Sequence, residues 1–553
     1  MEVYMTTTIN EFENLEAIKA ANPQLGYIRT IPEFFETETI KELTTAERRR
    51  IIEQSLILIN NVYVHLPLKR AMYAIDPVRS LELLQHQVDN ISEWQFHYSM
   101  IKIFKGLHDR HTNYFLPAPY NQYTVFLPFM MEEFYDTNGE RHYIVSKLTK
   151  GFKHKTFVPG VEVIEWNGVQ IEQAVDINAD LEDGSNPTAR HVRGLDRMTV
   201  RPMKMSLLPA ERWIIVGYLS NGQNHEIRLP WLVMPNPIDE FCDPTSVSNK
   251  FATTIGLDLN MELTNQARKA LFSWNVAAIR TNDSYAKKEC QDTLEFRTVN
   301  TAQGEIGYLR IWSFMKPEEP EVFIGEVIRI LKLLPKQGLI IDVRANGGGL
   351  VKSGERLLQL FSPHRVETEG FYFINNEVTL AIANSNELEW FNAKPWARSI
   401  ALSTTTGAVY SQSLPLESSF VTNNIGRHYY GSVVLITDAR SYSTTDIFVA
   451  GFQDNKLGKI LGVNDNTGAG GASVFTHDTL REILPGPDSP FQELPGGTNM
   501  RVALCATTRV GDNVGLPLED LGVQPDEIHR MTRDDVLHKN RDLIAAAAAL
   551  MDL

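Results

Sequence analysis

From residue 301 onward, short apolar runs alternate with amphipathic segments, and this alternation constrains the fold more than any other feature of the chain. Near-continuous apolar runs, which predict buried strands, occur at 307–311, 338–343, 432–437 and 460–463. Segments with helical spacing lie between them at 321–334, 352–361 and 443–455. Strands this apolar are typical of a parallel sheet that helices cover on both faces. We therefore predict an α/β fold with its functional site at the carboxyl ends of the strands.

The chain has 553 residues, a length that corresponds to roughly three to four domains. Thr44 and Glu47 have the spacing of a capping box, and the pattern from there to about 107 is mostly helical. Short β-like runs follow, and then a stretch rich in Asn, Thr, Asp and Pro. We predict an N-terminal helical region at 1–121, a β domain at 122–237, a connector or insertion at 238–300, and the α/β core at 301–553.

The β domain contains a hairpin signal at Asn167-Gly168, directly after the run 161–166. This segment resembles the strand-turn core of PDZ domains, which bind peptide C-termini by adding a strand to a sheet edge. Any β-hairpin has the same signal, so the resemblance is a hypothesis about this domain.

Composition excludes several classes of protein. The net charge is −15, from 53 basic and 68 acidic residues, which argues against a nucleic-acid binder because phosphate contact requires clustered Lys and Arg. No run approaches the ~18–20 apolar residues of a membrane span. The chain has three cysteines, Cys242, Cys290 and Cys505, which are too few for a disulfide framework. Their spacing is not that of a metal site. The N-terminus shows no signal peptide, so we expect a cytoplasmic protein without a membrane partner.

Ser443 is the first candidate for chemistry. It follows the predicted strand 432–437 and begins a predicted helix, where free N–H groups at the helix N-terminus can stabilise an oxyanion. The same sequence also fits a plain helix cap, with Asp446 at the third helical position. Ser443 alone does not separate the two interpretations.

Gly347, Gly348 and Gly349 follow a strand and precede a helix. Their N–H groups can complete an oxyanion hole or bind a phosphate, but the lysine of a P-loop and the GxGxxG of a dinucleotide site are absent. A tight turn is the alternative. We expect Asp342 and Arg344 to brace this turn rather than to react.

A base and an acid complete the candidate set. His111 lies beside Asp109, and histidine is the usual base for activating a serine; His108 is its competitor. Glu519 can orient such a base and stabilise its cation. In isolation each of these residues fits an ordinary surface or loop position.

The motifs together resemble the tail-specific (C-terminal processing) serine peptidases, and within them the branch of tricorn protease and the chlamydial protease-like activity factor. The matching features are Asp-x-His-Thr at 109–112, Asp-Val-Arg-x-Asn-Gly-Gly-Gly at 342–349, the serine and acid of the helix start at 443–446, Asp454, and Glu-x-x-Gly-Val-x-Pro-Asp at 519–526. The resemblance covers roughly residues 95–530. It implies a ClpP/crotonase-like core with an embedded PDZ-like domain.

The resemblance also implies roles for the residues. Ser443 attacks the scissile carbonyl, His111 takes its proton, and Glu519 orients His111, directly or through another side chain or water. The oxyanion is held by the N–H groups of Gly348 or Gly349 and of Thr444. The Ser/Lys branch of the family has a lysine about 25 residues after the serine, but this chain has Asp465 to Gly471 there without one. Asp109 and Asp520 are reserves for Glu519.

The sequence thus favours a serine endopeptidase that acts on proteins or peptides, without metal or cofactor and with a possible homo-oligomeric state. The first alternative is a non-catalytic peptide- or ligand-binding protein on the same scaffold, like the retinoid-binding repeats that the family includes. The second is a crotonase-type acyl-CoA enzyme, which also uses paired backbone N–H groups. The Ser443/His111 pair favours catalysis over binding, and the PDZ-like segment argues against the acyl-CoA enzyme.

Overall fold

Helices dominate the N-terminal region. The computed structural model describes residues 5–6, 11–206, 208–236, 257–272, 286, 290–291, 293–315, 319–385 and 391–551. Helices α1–α6 span Glu11–Ala21, Ile31–Thr37, Thr45–Asn61, Leu66–Tyr73, Pro77–Gln87 and Glu93–Lys105. The predicted capping box is confirmed, because Thr44 and Glu47 each accept the backbone N–H of the other. Strands β1 (Met5–Thr6), β2 (Arg29–Thr30) and β3 (Asn113–Phe115) pair with strands from later in the chain.

The next region is rich in strands. Strands β4–β12 span Tyr123–Phe126, Phe129–Tyr135, Arg141–Leu148, Glu162–Trp166, Val169–Gln170, Val200–Pro202, Trp213–Ser220, Gln223–Pro230 and Leu232–Pro235. Helices α7 (Ile171–Ala179) and α8 (Pro187–Thr199) lie between β8 and β9. One sheet has the order β1-β11-β10-β7-β6-β5 with β8 beside β7, and a second has the order β2-β12-β4-β9. Asn167 and Gly168, both with positive φ, turn β7 into β8, which confirms the predicted hairpin.

The predicted connector at 238–300 contributes two regular elements. Helix α9 spans Leu259–Phe272, and strand β13 spans Leu294–Thr301. β13 pairs antiparallel with the first strand of the core, so the core sheet begins before residue 301. Residues 238–256 and 273–285 of the predicted connector, with Cys242, lie outside the described residues.

The core follows the predicted alternation. Strands β14–β21 span Gly304–Ile311, Gly338–Asp342, Gly370–Phe373, Ser432–Thr437, Lys459–Gly462, Ala472–Thr476, Asn499–Thr508 and Glu527–Ile528. Helices α10–α18 span Pro320–Leu333, Val351–Gln359, Glu377–Asn384, Lys394–Thr406, Ser419–Thr422, Thr444–Asp454, His477–Ile483, Arg533–Leu537 and Arg541–Ala549. The sequence analysis proposed seven elements for the core. Their predicted bounds differ from the observed ones by three residues or fewer.

The main sheet has the order β13-β14-β15-β17-β18-β21 and is parallel from β14 to β21. Both of its faces are buried. Along β15, Leu339 and Ile341 join the large hydrophobic core, while Ile340 packs in a second cluster with Leu543 and Ala547 of α18. This pattern explains why the strands read as continuous apolar runs rather than as alternating ones. The predicted α/β fold class is confirmed.

A second sheet supports the site from the side. Its order is β16-β20-β19, and β3 pairs with β20. This pairing fixes the segment just before β3, which includes His111, against the core. No helix among the described residues is long and apolar enough to cross a membrane.

Candidate active site

Ser443 lies at the carboxyl end of β17 and immediately before α15, where the sequence predicted it. Its backbone has φ 62° and ψ −124°, a conformation that costs a residue other than glycine about 1–3 kcal/mol and that clusters at functional sites. Gly348 approaches it so closely that a Cβ at Gly348 would lie 2.7 Å from the Cβ of Ser443. The glycine turn therefore packs directly on the sharp bend that presents the Ser443 hydroxyl.

His111 is the partner of that hydroxyl. Its Nε2 lies 3.1 Å from Ser443 Oγ, and its Nδ1 lies 3.2 Å from Tyr442 Oη. When Nε2 accepts the Ser443 proton, Nδ1 carries the ring hydrogen and donates it to Tyr442. The two rings also pack together with centroids 4.6 Å apart. Tyr442, which the sequence analysis did not select, therefore orients His111 and can accept the Nδ1 hydrogen.

Asp109 holds the backbone of this segment rather than the ring of His111. Its Oδ1 accepts the His111 backbone N–H at 2.7 Å, and its Oδ2 accepts the Thr112 hydroxyl at 2.7 Å. Burial opposes ionisation of Asp109, but the nearby His65, His111 and Lys69 outweigh it and lower the Asp109 pKa. Asp109 is therefore a carboxylate that shapes the loop.

His108, the competitor of His111, has a different position. Its ring stacks on Tyr73 with centroids 4.1 Å apart, and burial lowers its pKa to about 4. Its backbone carbonyl accepts a hydrogen bond from Lys69 at 2.9 Å. The structure thus brings His111, and not His108, to Ser443.

Glu519 is buried beside His111. A carboxylate oxygen of Glu519, a ring nitrogen of His111 and a carboxylate oxygen of Asp109 lie within 4.8 Å of one another. Glu519 Oε1 accepts the Lys69 ammonium at 2.8 Å, and Oε2 has no hydrogen-bond partner among the described residues. Burial raises the Glu519 pKa; Lys69 opposes this rise, and Asp109 and Asp520 add to it. The Lys69 ammonium already supplies the positive charge that a bound cation would bring here.

The alternative role of Ser443 as a helix cap is only partly realised. Its N–H donates to Asp446 Oδ2 at 3.2 Å, as a helix start requires, whereas its hydroxyl faces His111. Asp446 also accepts the N–H groups of Gly470 at 2.9 Å and Ala469 at 3.3 Å, and burial raises its pKa to about 7. Asp446 therefore ties the loop 465–471, where the Ser/Lys branch has its lysine, to the start of α15.

The predicted oxyanion donors have different environments. The Gly348 N–H donates to Asn346 Oδ1 at 3.0 Å, so it is already engaged in this structure. The backbone N–H groups of Gly349 and Thr444 donate to no group in the part of the chain that the structure describes. The Thr444 hydroxyl donates to the Gly349 carbonyl at 2.7 Å, which joins the turn to α15. The geometry thus favours Gly349 and Thr444 over Gly348 as oxyanion donors.

Asp342 and Arg344 brace the glycine turn, as the sequence analysis expected. Asp342 accepts hydrogen bonds from Tyr308 at 2.7 Å and from Arg310 at 2.8 Å, and Arg344 donates to it at 2.8 Å. Neither residue contacts Ser443 or His111 through any hydrogen bond described for it.

The site is closed to solvent. Ser443, His111 and Glu519 are 1%, 0% and 1% exposed. The segment before α9 lies against the glycine turn, since the Asp258 N–H donates to the Gly347 carbonyl at 2.9 Å. A peptide bond can reach Ser443 only after part of this packing separates.

The sequence analysis missed Lys69 as well as Tyr442. Lys69 lies in α4, more than four hundred residues before Glu519, and nothing in its local sequence separates it from an ordinary helix lysine. Its apolar neighbours Leu66 and Leu68 are the one weak signal of its burial. Tyr442 had a better signal, because it directly precedes the candidate nucleophile.

Comparison with known proteins agrees with this geometry. The profile of peptidase family S41 matches residues 305–480. No sequence among the curated proteins is significantly similar to the chain. Three solved structures of CPAF are similar, each 15% identical: a serine-to-alanine mutant (TM-score 0.64, covering 92% of this chain and 97% of that chain), the mature protein (0.62, 91% and 96%) and the mature protein complexed with lactacystin (0.60, 91% and 97%).

At this identity the structural likeness shows a shared fold over nearly the whole of both chains, which includes the ClpP/crotonase-like core and the PDZ-like domain that the resemblance implied. The family match lies on the strands and helices that hold the glycine turn and Ser443. The resemblance to tail-specific peptidases is confirmed. Residues 305–480 of the chain match peptidase family S41, and the chain is a serine peptidase.

Proposed function

We propose that the chain hydrolyses peptide bonds of proteins or peptides through Ser443 as nucleophile, His111 as base and Glu519 as the acid that supports His111. The observation that carries this proposal is the 3.1 Å contact between Ser443 Oγ and His111 Nε2, two side chains 332 residues apart in sequence. A buried contact of this kind places a nucleophile and its base within hydrogen-bond reach.

The chemistry follows from the contacts. Ser443 Oγ attacks the scissile carbonyl carbon while its proton moves to His111 Nε2, and the carbonyl oxygen becomes an oxyanion facing the Gly349 and Thr444 N–H groups. His111 then gives the proton to the leaving amine, the C–N bond breaks, and an acyl ester remains on Ser443. A water, deprotonated by His111, hydrolyses that ester and restores the serine.

Glu519 supports the imidazolium that forms in both steps. The two side chains have polar atoms within 4.8 Å of each other, close enough for the Glu519 charge to act on the imidazolium. Because both side chains are buried, the attraction between carboxylate and imidazolium is stronger than it would be in water. Tyr442 keeps the Nδ1 hydrogen in place throughout.

The test is labelling of the intact protein with a fluorophosphonate probe, together with hydrolysis of an unfolded protein substrate. Wild type should be labelled, and Ser443→Ala and His111→Asn should each abolish labelling and hydrolysis. His108→Asn is the matched control, since it changes a neighbouring histidine whose ring does not contact Ser443. Asn also tolerates the positive φ of position 108.

Hydrolysis by Ser443→Ala would refute the assignment. A folded wild type that neither reacts with the probe nor cuts the substrate, even after limited proteolysis has opened the closed site, would favour the peptide-binding alternative.

A further inference from the structure

Lys69 is a buried cation in the middle of the acidic groups of the site. Its side chain is 0% exposed, and its ammonium lies 2.8 Å from Glu519 Oε1 and 2.5 Å from Asp520 Oδ1. A third hydrogen bond, at 2.9 Å, goes to the carbonyl of His108. All three ammonium hydrogens are thus used, and they join α4 to the loop of His111 and to the loop of Glu519.

The charges around this ammonium do not balance. The titratable side chains that face it are Asp109, Glu519, Asp520, His65, His111 and Tyr73. Tyr63 and Arg190 lie one layer further out, beside Asp109 and Tyr73. Burial lowers the His65 pKa to about 3, so His65 is neutral. Three acids therefore share one ammonium group.

Burial disfavours the Lys69 charge, but Glu519, Asp520 and Asp109 outweigh it and raise the Lys69 pKa. The ammonium is therefore a permanent positive charge at working pH. Glu519 depends on it, because Lys69 is the strongest influence that opposes protonation of this buried carboxyl.

We propose that Lys69 is a positioning residue of the active site: its hydrogen bond holds Glu519 beside His111, and its charge favours the carboxylate form of Glu519. This inference rests on the proposed function, since it concerns how Glu519 becomes able to support His111. Lys69 itself touches neither Ser443 nor the substrate, so it acts through Glu519.

A purely structural role for Lys69 predicts a different behaviour. If the ammonium only tied α4 to the two loops, its loss would lower stability and activity equally at every pH. If its charge controls Glu519, its loss lets Glu519 keep its proton to a higher pH, and activity is lost first on the acidic side. The pH profile separates the two roles.

The experiment measures the rate of fluorophosphonate labelling of Ser443 between pH 5 and 9 in the full chain. We expect Lys69→Met to move the acidic limb of the profile to higher pH by about one unit or more and to slow labelling at least about tenfold at neutral pH. Lys69→Arg keeps the charge and should restore the limb to within a few tenths of a unit of wild type.

Lys105→Met is the matched control. Lys105 forms a buried ion pair with Glu182 at 2.8 Å, so its loss also removes a buried cation from a carboxyl, although Arg110 and Arg197 stay within 4 Å of Glu182. Lys105→Met should keep the wild-type limb. An unshifted limb in Lys69→Met, or an equal shift in Lys105→Met, would overturn the proposal.

Asp520→Asn provides a second arm in case Lys69→Met does not fold. It removes one acid that competes for Lys69, so Glu519 should ionise more easily and the limb should move to lower pH. If the acidic limb of Asp520→Asn is unshifted or moves to higher pH, the inference about Lys69 is wrong, while the proposed function is unaffected. An unlabelled wild type would instead overturn the proposed function, and the inference with it.

Discussion

The hydroxyl of Tyr442 is the group that orients His111. Nδ1 of His111 lies 3.2 Å from this hydroxyl, and the aromatic ring packs on the imidazole. The pocket for the ring is tight, because a Cβ at Gly470 would lie 2.1 Å from the Tyr442 ring. Tyr442 therefore has little freedom to turn away from His111.

Tyr442→Phe should slow probe labelling about three- to tenfold, the effect of one lost hydrogen bond of about 1 kcal/mol, with little change in the melting temperature. Tyr429→Phe is the control, since it removes another buried hydroxyl with one partner, the Pro335 carbonyl at 2.9 Å, far from the site. Equal labelling by wild type and Tyr442→Phe would contradict the role of the hydroxyl.

Two buried carboxyl groups should make the fold sensitive to alkaline pH. Burial raises the pKa of Glu355 to about 8 and raises that of Glu369 well above its usual range, and neither carboxyl has a hydrogen-bond partner among the described residues. In the folded state Glu355 keeps its proton up to about pH 8, whereas the unfolded chain loses it near pH 4.5. Folding stability therefore falls as pH rises through this window.

Glu355→Gln should remove much of that slope, so that the variant is more stable than wild type at pH 8 by a few kcal/mol and nearly equal to it at pH 4.5. Urea denaturation at both pH values measures this. Glu493→Gln, at an exposed position, serves as the control and should follow wild type. A Glu355→Gln variant that loses stability equally at both values would rule out a buried protonated carboxyl.

At the scale of elements, α15 is fixed at both ends. Its start contains Ser443, and Asp454 at its end pairs with Arg509 at 2.6 Å and accepts from Asn513 at 2.6 Å. Asp454 is fully buried, so this pair is part of the interior. A rigid helix keeps the sharp bend at Ser443 from relaxing.

Asp454→Asn leaves the Arg509 guanidinium buried without a counter-charge, which costs about 3 kcal/mol of unfolding free energy. Asp512→Asn, which breaks the exposed pair with Lys456, should have no measurable effect. Chemical denaturation of both variants measures the difference. Similar losses in the two would show that the pair of Asp454 and Arg509 does not anchor α15.

The elements of the core could be predicted from sequence because each is periodic and bounded by turn residues. The assembly of the site depends on contacts that no local pattern records. The positive φ of Ser443, the hydrogen bond from Gly348 to Asn346, and the burial of Lys69 all result from packing between segments far apart in the chain. Sequence therefore indicated Ser443, His111 and Glu519 as candidates, but not the groups that hold them.

At the scale of the whole molecule, buried polar contacts join the PDZ-like domain to the core. Asp196 in α8 accepts hydrogen bonds from Arg268 at 2.6 Å and from Arg440 at 2.8 Å, and Arg440 lies three residues before Ser443. Asn186, at the start of α8, donates to the Thr467 carbonyl at 2.9 Å. These contacts connect the PDZ-like domain directly to the turn that precedes Ser443.

Asp196→Asn should weaken this connection, since both arginines lose a buried anion. We expect calorimetry to show a lower first transition, or two transitions in place of one, and labelling of Ser443 to slow. Asp176→Asn, at an exposed position of α7, should leave both unchanged. A single unshifted transition in Asp196→Asn would show that the two regions do not unfold as one unit.

The four groups of the site come from positions 69, 111, 443 and 519. A ribosome makes them in that order, and domains of a growing chain fold from the N-terminus as they emerge. Lys69 and the proposed base His111 are therefore made long before the proposed nucleophile Ser443, and the proposed acid Glu519 comes last. Under the proposed mechanism the growing chain therefore cannot cut itself or the proteins around it for most of its synthesis, because the site is complete only when the last of these segments has joined the other three.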